Sequence, residues 1–148
     1  MIPRNELKKL GLALISIFIF SFLFNFVWES VQAVYLYKGH NINAQAYIPM
    51  MGYVSTMDAM IIFGMYFIMA VSWQNIFWLR QMDRGHALVV FLLGLIIAAV
   101  IEYRAVYIMK EWRYKPEMPT IFGIGISPLL QLSITGLVSF WLTKRILR

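Results

Sequence analysis

Four long apolar segments, separated by short polar stretches, make up most of the sequence. They cover residues 10–35, 48–73, 86–109 and 118–142. A helix needs about 20 apolar residues to cross the hydrocarbon core of a bilayer, and each segment reaches that length. Within hydrocarbon, backbone N–H and C=O groups find partners only in a helix or a closed barrel, and no segment has the alternation of a strand. The pattern therefore predicts an all-α, polytopic membrane protein with four transmembrane helices.

The connections between these segments are short and cover residues 37–47, 74–85 and 110–117. Short connections join antiparallel neighbours, so the simplest fold is an up-down four-helix bundle that forms a single domain over residues 1–148. The first apolar run resembles a signal peptide, but it exceeds the usual length of about 7–15 residues, and we expect it to remain as a helix. Composition agrees, because 61% of the residues are hydrophobic, 14% are charged and the mean hydropathy is +0.70.

Lys and Arg are unequally distributed between the two ends of the predicted bundle. One end carries eight of them: Arg4, Lys8, Lys9, Arg80, Arg84, Lys144, Arg145 and Arg148. The other end carries four, Lys38, Lys110, Arg113 and Lys115, with Arg104 near the end of the third helix. Cytoplasmic loops are enriched in Lys and Arg, so both termini are predicted to face the cytoplasm.

The net charge of +6 does not indicate nucleic-acid binding, because the basic residues lie at the ends of apolar segments, where they set topology. The chain has no cysteine, which excludes disulfides, thiolate nucleophiles and cysteine-bound metals. The expected partner is a membrane lipid or another lipophilic small molecule. The sequence leaves open whether the protein also assembles as a homo-oligomer or a hetero-oligomer.

Three of the seven acidic residues lie inside the apolar segments, at nearly the same depth. Glu29, Asp58 and Glu102 occupy three different helices, each roughly 10–15 Å below the outer surface at a rise of 1.5 Å per residue. Gln131 of the fourth helix is expected somewhat deeper. Ionisable residues in membrane helices face the bundle interior or a water-filled cavity and serve a function by default. We therefore predict that the three acids are catalytic and line one polar chamber that opens toward the outer leaflet.

Polar and aromatic residues near these acids are candidates for substrate binding. On the first helix, the i, i+3, i+4, i+7 spacing of one face joins Asn25, Trp28, Glu29 and Gln32. Pro128 is expected in the middle of the fourth helix, where it would free a backbone carbonyl. Arg104 is expected either to snorkel outward or to pair across helices. The predicted binding residues are Asn25, Trp28, Gln32, Ser55, Tyr103, Arg104, Trp112, Tyr114, Pro128 and Gln131.

The sequence offers few residues for metal or hydrolase chemistry. His40 and His86 lie at opposite ends of the predicted bundle and cannot bind one ion together. The chain lacks the Glu-x-x-His pairs of di-iron proteins, and its buried serines have no histidine base at their depth. No metal and no cofactor is therefore predicted. A Mg²⁺ or Ca²⁺ site built from carboxylates alone is the alternative.

Two stretches resemble motifs of an uncharacterised family of small bacterial four-helix inner-membrane proteins. They are NFVWESVQ at residues 25–32 and EWRYKPEMPTIFGIGISPLLQ at residues 111–131. The shared patterns are Asn-x-x-Trp-Glu-x-x-Gln and Trp-x-Tyr-x-x-x-Met-Pro, and the resemblance implies a multi-pass protein of the cytoplasmic (inner) membrane. More loosely, a Trp-Glu pair with further acids is similar to membrane-bound terpene cyclases and sterol-isomerase-like membrane proteins. Those families use buried acids against carbocations or lipophilic amines, but the histidine of the isomerases is missing here.

These observations predict a small integral membrane enzyme that isomerises, cyclises or hydrates an isoprenoid or another lipid. A carboxyl group that keeps its proton serves as general acid, while an ionised neighbour stabilises a developing cation. Trp28, Tyr103 and Trp112 are the expected cation–π partners. One alternative is a proton, ion or small-molecule transporter, because carboxylates also mark ion pathways. Others are a non-catalytic lipid-binding or accessory subunit, or a purely structural network of hydrogen-bonded acids.

Overall fold

The computed structural model describes residues 3–39 and 42–148, which form a bundle of four long helices. The helices are α1 (Arg4–Leu36), α2 (Ala44–Ser72), α3 (Arg84–Tyr103) and α4 (Ile126–Ile146). A short 3₁₀ helix, Trp78–Gln81, precedes α3, and a π-helical segment, Arg104–Met109, continues it. All four helices, α3 together with its π-helical segment, are long and apolar enough to cross a membrane. This confirms the predicted all-α, four-helix transmembrane fold.

Two of the helices begin at side chains that cap their first turn. The Asn43 side chain accepts a hydrogen bond from the backbone N–H of Ala46 at 3.0 Å and starts α2. Asp83 accepts from the backbone N–H of His86 at 2.9 Å and starts α3. Such caps satisfy backbone donors that have no partner inside the helix. Hydrogen bonds from the backbone and the ring of His86 also lower the pKa of the Asp83 carboxyl group.

The fourth helix begins eight residues later than its predicted start at residue 118. A small antiparallel hairpin occupies the difference, with β1 (Thr120–Ile121) paired to β2 (Ile124–Gly125). Its two turn residues, Phe122 and Gly123, have φ angles of 51° and 80°. Positive φ at both central residues is what a type I′ hairpin turn requires, and Gly123 adopts it without steric cost. The prediction that this segment was helical was therefore wrong.

Pro128 was also placed wrongly, because it is the third residue of α4 and does not lie in the middle of the helix. The first N–H groups of a helix have no intrahelical acceptor, so a proline in the first turn removes no hydrogen bond. Pro128 consequently neither kinks α4 nor frees a carbonyl group.

The helices pack in the spatial order α2, α1, α4, α3. Helix α1 packs along both α2 and α4, α3 packs along α4, and α2 and α3 meet over only a short length. The closest approach of α3 and α4 is at Gly94, where an added Cβ would lie 2.8 Å from the backbone of Ser133. The half of the bundle that holds both termini is here called the terminal half. It buries the hydroxyls of Ser21, Ser139 and Thr143 among fully buried apolar and aromatic side chains, which include Ile17, Ile62, Met65, Tyr66, Trp78 and Phe140.

The other end of the bundle is crossed by residues 110–119, here called the strap. Its backbone joins the end of α1 through hydrogen bonds from Lys38 N to Arg113 O at 2.9 Å and from Lys115 N to Leu36 O at 2.8 Å. Tyr37 and Tyr114 form an isolated antiparallel bridge between these segments. The strap therefore fixes the connection between α3 and α4 against the end of α1, in what is here called the strap half.

The cytoplasmic orientation of both termini is a prediction that reporter fusions can test. A green fluorescent protein fused after Arg148 should be fluorescent, because it folds in the cytoplasm, and alkaline phosphatase at the same site should be inactive. Phosphatase inserted in the connection between α1 and α2 should give the opposite result, because that connection lies on the low-charge side. An active phosphatase after Arg148 would show that the orientation is the reverse of the predicted one.

Candidate functional site

A cavity of about 260 Å³ lies in the strap half of the bundle, and all four helices contribute to its wall. Glu29 of α1, Asp58 of α2 and Glu102 of α3 line it together with Gln131 of α4. Most of the remaining wall is apolar and includes Met50, Met51, Met57, Ile61, Ile101 and Leu132. The three acids thus share one compartment, as their common depth predicts, and this compartment is here called the acid chamber.

Gln131 is the centre of a hydrogen-bond network in the acid chamber. Its Nε2 atom lies 2.8 Å from Glu29 Oε1, 2.8 Å from Asp58 Oδ2 and 3.0 Å from Asn25 Oδ1. A primary amide has two N–H hydrogens, so three acceptors compete for two donors. The amide connects α1 and α2 to α4 at one point and holds the carboxyl groups of Glu29 and Asp58 side by side.

The carboxyl groups of Glu29 and Asp58 lie beside each other, since Gln131 Nε2 is 2.8 Å from an oxygen of each. Two neighbouring carboxyl groups away from water favour sharing one proton, because two negative charges repel each other at short range. The two residues, here called the carboxyl pair, therefore combine a proton donor and a proton acceptor at one place. That combination is what general acid–base chemistry needs.

Gln32 extends the hydrogen-bond network along α1 and determines which groups in it donate and which accept. Its Nε2 atom lies 2.8 Å from Gln131 Oε1 and 3.0 Å from Glu29 Oε1. Its own carbonyl oxygen accepts from the Ser127 hydroxyl at 2.9 Å, and Ser127 lies 3.3 Å from the ring nitrogen of Trp28. Each donor in this series points toward the carboxyl pair. The amides therefore act as fixed donors that position Glu29.

Glu102 lies apart from this network, among three aromatic donors. The Tyr114 hydroxyl forms a short hydrogen bond with Glu102 Oε2. The Tyr37 hydroxyl and the Trp112 ring N–H are each 3.4 Å from a carboxyl oxygen, which is long for a hydrogen bond. The Tyr37 ring packs against those of Trp112 and Tyr114, with centroids 6.1 and 5.5 Å away. Glu102 is therefore held as an acceptor within an aromatic cluster.

The two tyrosines beside Glu102 remain donors throughout the physiological pH range. Burial, reinforced by the neighbouring Glu102 carboxyl group, raises the pKa of Tyr37 far above its usual value. Burial and the hydrogen bond to Glu102 likewise raise the pKa of Tyr114. Both phenols consequently keep their protons and remain able to donate hydrogen bonds to Glu102.

Four of the predicted binding residues lie outside the acid chamber. Trp28 lies at an apolar groove between α1 and α4, on the other side of Gln32. The buried Ser55 hydroxyl bonds to the carbonyl of Met51 in its own helix. Tyr103 and Arg104 are exposed on the outer surface of the bundle. They follow Glu102 directly, and neighbouring helical residues point in different directions.

The other predicted binding residues are in or next to the chamber. Gln32, Trp112, Pro128 and Gln131 line it. Tyr114 reaches it through Glu102, and Asn25 reaches it through Gln131. Sequence reasoning missed Tyr37, although Tyr37 follows Glu29 by eight residues and so continues the same helical face. Ser127, whose hydroxyl orients Gln32, shares the polar stripe of the fourth segment with Gln131 but was not among the predicted binding residues.

The structure gives no support to a carboxylate metal site. Among residues 3–39 and 42–148, no three His, Cys, Asp or Glu side chains come close enough to hold a metal ion. His86 is at the terminal end, where its ring stacks between Trp73 and Trp78. His40 lies outside the described residues.

Comparison with known proteins does not extend the argument. No family model, no curated protein and no solved structure matches the chain. The resemblances of residues 25–32 and 111–131 remain predictions, and the function has to be inferred from the geometry of the acid chamber.

Proposed function

We propose that the protein is a membrane-embedded enzyme that acts on a lipophilic substrate by proton transfer and stabilisation of a cation. The observation that carries this proposal is that three carboxyl groups line one small, largely apolar cavity within the transmembrane region. Buried carboxyl groups that only hold helices together have no need of an accessible space. An apolar cavity selects a lipophilic ligand, and the acids act on it.

The carboxyl pair and Glu102 have different roles in this proposed chemistry. In the carboxyl pair, the protonated group gives its proton to a double bond of the substrate, and the resulting cation is stabilised by the chamber. The ionised partner then removes a proton from a neighbouring carbon, so an isomerisation or cyclisation consumes no co-reactant. Glu102 and the rings of Tyr37 and Trp112 favour positive charge in the substrate through electrostatic and cation–π attraction.

The terminal half of the bundle favours an enzyme over a transporter. Between the acid chamber and the termini, Ile17, Met65 and Phe140 are completely buried and pack together. Conduction needs a polar or water-filled route across the whole membrane. The buried polar side chains in this half are uncharged hydroxyls, among them Ser21, Ser139 and Thr143, and no acid is buried with them among the described residues. The chamber thus has the form of a pocket with one closed end.

Proton-transfer chemistry can be tested before the substrate is known. Membranes of the native host that contain the protein are incubated in D₂O, and their extracted lipids are compared by mass spectrometry with those from a strain lacking it. A substrate protonated by the carboxyl pair should acquire one carbon-bound deuterium from the solvent, because carboxyl protons exchange with water. The label should appear in an isoprenoid or another lipid.

The Glu29→Gln and Asp58→Asn variants are the controls. In the same incubation they should incorporate no deuterium, because an amide keeps hydrogen bonds but transfers no proton. Glu117→Gln, which changes an exposed acid of the strap, should leave the incorporation unchanged. If no lipid gains deuterium in a manner that depends on Glu29 and Asp58, the proposed proton transfer is wrong and a non-catalytic lipid binder is the better description.

A further inference from the structure

The acid chamber is bounded differently on each of its sides. The strap crosses its outer end, where Trp112 forms part of the wall. The apolar layer of the terminal half closes the opposite end. Helix α1 packs along α2 and α4, and α4 packs along α3, but α2 and α3 make little contact. Among the described residues, the weakest part of the wall is therefore the seam between α2 and α3.

Residues at this seam reach both the chamber and the surface of the bundle. Tyr53 and Met57 of α2 line the chamber and are 67% and 43% exposed. Ile61 of α2 and Ile101 of α3 also line it and are partly exposed. These side chains lie within helices that are long enough to span the membrane, so the seam faces hydrocarbon and not water.

The size of the chamber limits what it can hold. Pockets that enclose a whole drug-sized ligand measure about 300–1,000 Å³. The chamber, at about 260 Å³, is smaller. A long-chain lipid therefore fits only in part, and an open seam to the bilayer gives the remainder of its chain an apolar environment.

We propose that the ligand of the acid chamber is a membrane lipid that enters sideways between α2 and α3. Its reactive end lies beside the three acids, and its hydrocarbon tail passes Met57 and Ile101 and remains in the bilayer. This inference rests on the proposed function in so far as the chamber is a ligand site. It adds the class of substrate, a long-chain lipid with a small reactive end, and the route by which it arrives.

Photolabelling of the protein in lipid vesicles tests whether a membrane lipid reaches the chamber, as lateral entry requires, without any measurement of turnover. The probe is a long-chain primary alcohol with a diazirine next to its hydroxyl end, and the labelled residues are mapped by mass spectrometry. We expect labelling of Asp58 or Glu102 inside the chamber, together with Tyr103, which is exposed on the surface of α3 at the level of Glu102. Val90 of α3 is completely buried outside the chamber and should remain unlabelled. A short-chain alcohol with the same diazirine should label the chamber much less.

Ala98→Leu supplies a matched variant, because Ala98 is buried on the chamber wall of α3. The added bulk should abolish labelling of Glu102 and leave labelling of Tyr103 unchanged, whereas Val100→Leu on the exposed face should change neither. If the chamber is labelled no more strongly than Val90, the lateral route is wrong. This comparison uses the wild-type protein alone, so it tests the proposal even if Ala98→Leu does not fold. A labelled chamber without acid-dependent deuterium incorporation would reject the proposed chemistry and keep the chamber as a lipid site. Deuterium incorporation without chamber labelling would reject lateral entry of a long-chain lipid and keep the chemistry.

Discussion

Glu29→Gln and Asp58→Asn should each lower the rate of substrate turnover by about 10²–10⁴-fold, the range expected when a positioned general acid or base is lost. The two replacements are nearly isosteric with the native side chains. Each retains an oxygen that can accept from Gln131, whose Nε2 atom is 2.8 Å from both carboxyl groups. What is lost is the exchangeable proton that the carboxyl pair holds between its members. Turnover of the deuterium-labelled lipid, once it is identified, measures the effect.

Thermal stability of the same purified variants separates catalysis from structure. If the acids are catalytic, Glu29→Gln and Asp58→Asn should melt close to the wild type in detergent while activity disappears. If they only connect helices, mismatched hydrogen bonds should reduce stability by about 1–3 kcal/mol while the protein that remains folded keeps its function. That second result would remove the main support for an enzyme. Glu117→Gln, an exposed strap acid, should alter neither quantity.

Gly94→Ala should destabilise the bundle by about 1–3 kcal/mol or more, as overpacked substitutions do. A Cβ at position 94 would lie 2.8 Å from both Cα and N of Ser133, closer than atoms of two helices approach without moving. Backbone cannot rotate away as a flexible side chain can, so α3 and α4 would have to separate. Small residues at such contacts allow membrane helices to pack closely. Unfolding of the purified protein in mixed detergent measures the change.

Gly64→Ala is the matched control, because an added Cβ at position 64 of α2 meets no atom within 4 Å. Alanine is more favourable than glycine in a helix interior by roughly 0.5–1 kcal/mol, so this variant should be as stable as the wild type or slightly more so. If Gly94→Ala unfolds no more readily than Gly64→Ala, the contact between Gly94 and Ser133 does not set the spacing of α3 and α4.

The sequence by itself determined which segments become helices and the level at which their acids lie. Apolar segments of membrane-spanning length have to satisfy their backbone groups internally, whatever their neighbours are. Depth then follows from counting residues along each helix, and this was enough to predict that Glu29, Asp58 and Glu102 line one cavity. The face of α1 that carries Asn25 and Gln32 could likewise be predicted from the sequence, because helical periodicity is a local property.

The tertiary structure alone decided where the fourth helix begins and which sides of the chamber are closed. Residues 120–125 are apolar enough for a membrane helix, but their left-handed turn at Phe122 and Gly123 forms a hairpin instead. The order of the helices depends on which surfaces fit most closely, as at Gly94 and Ser133, and therefore on residues distant in sequence. Tyr37 joins Glu102 only because the strap holds the end of α1. Periodicity fixes the direction of a side chain relative to its own helix, whereas packing fixes what that side chain meets.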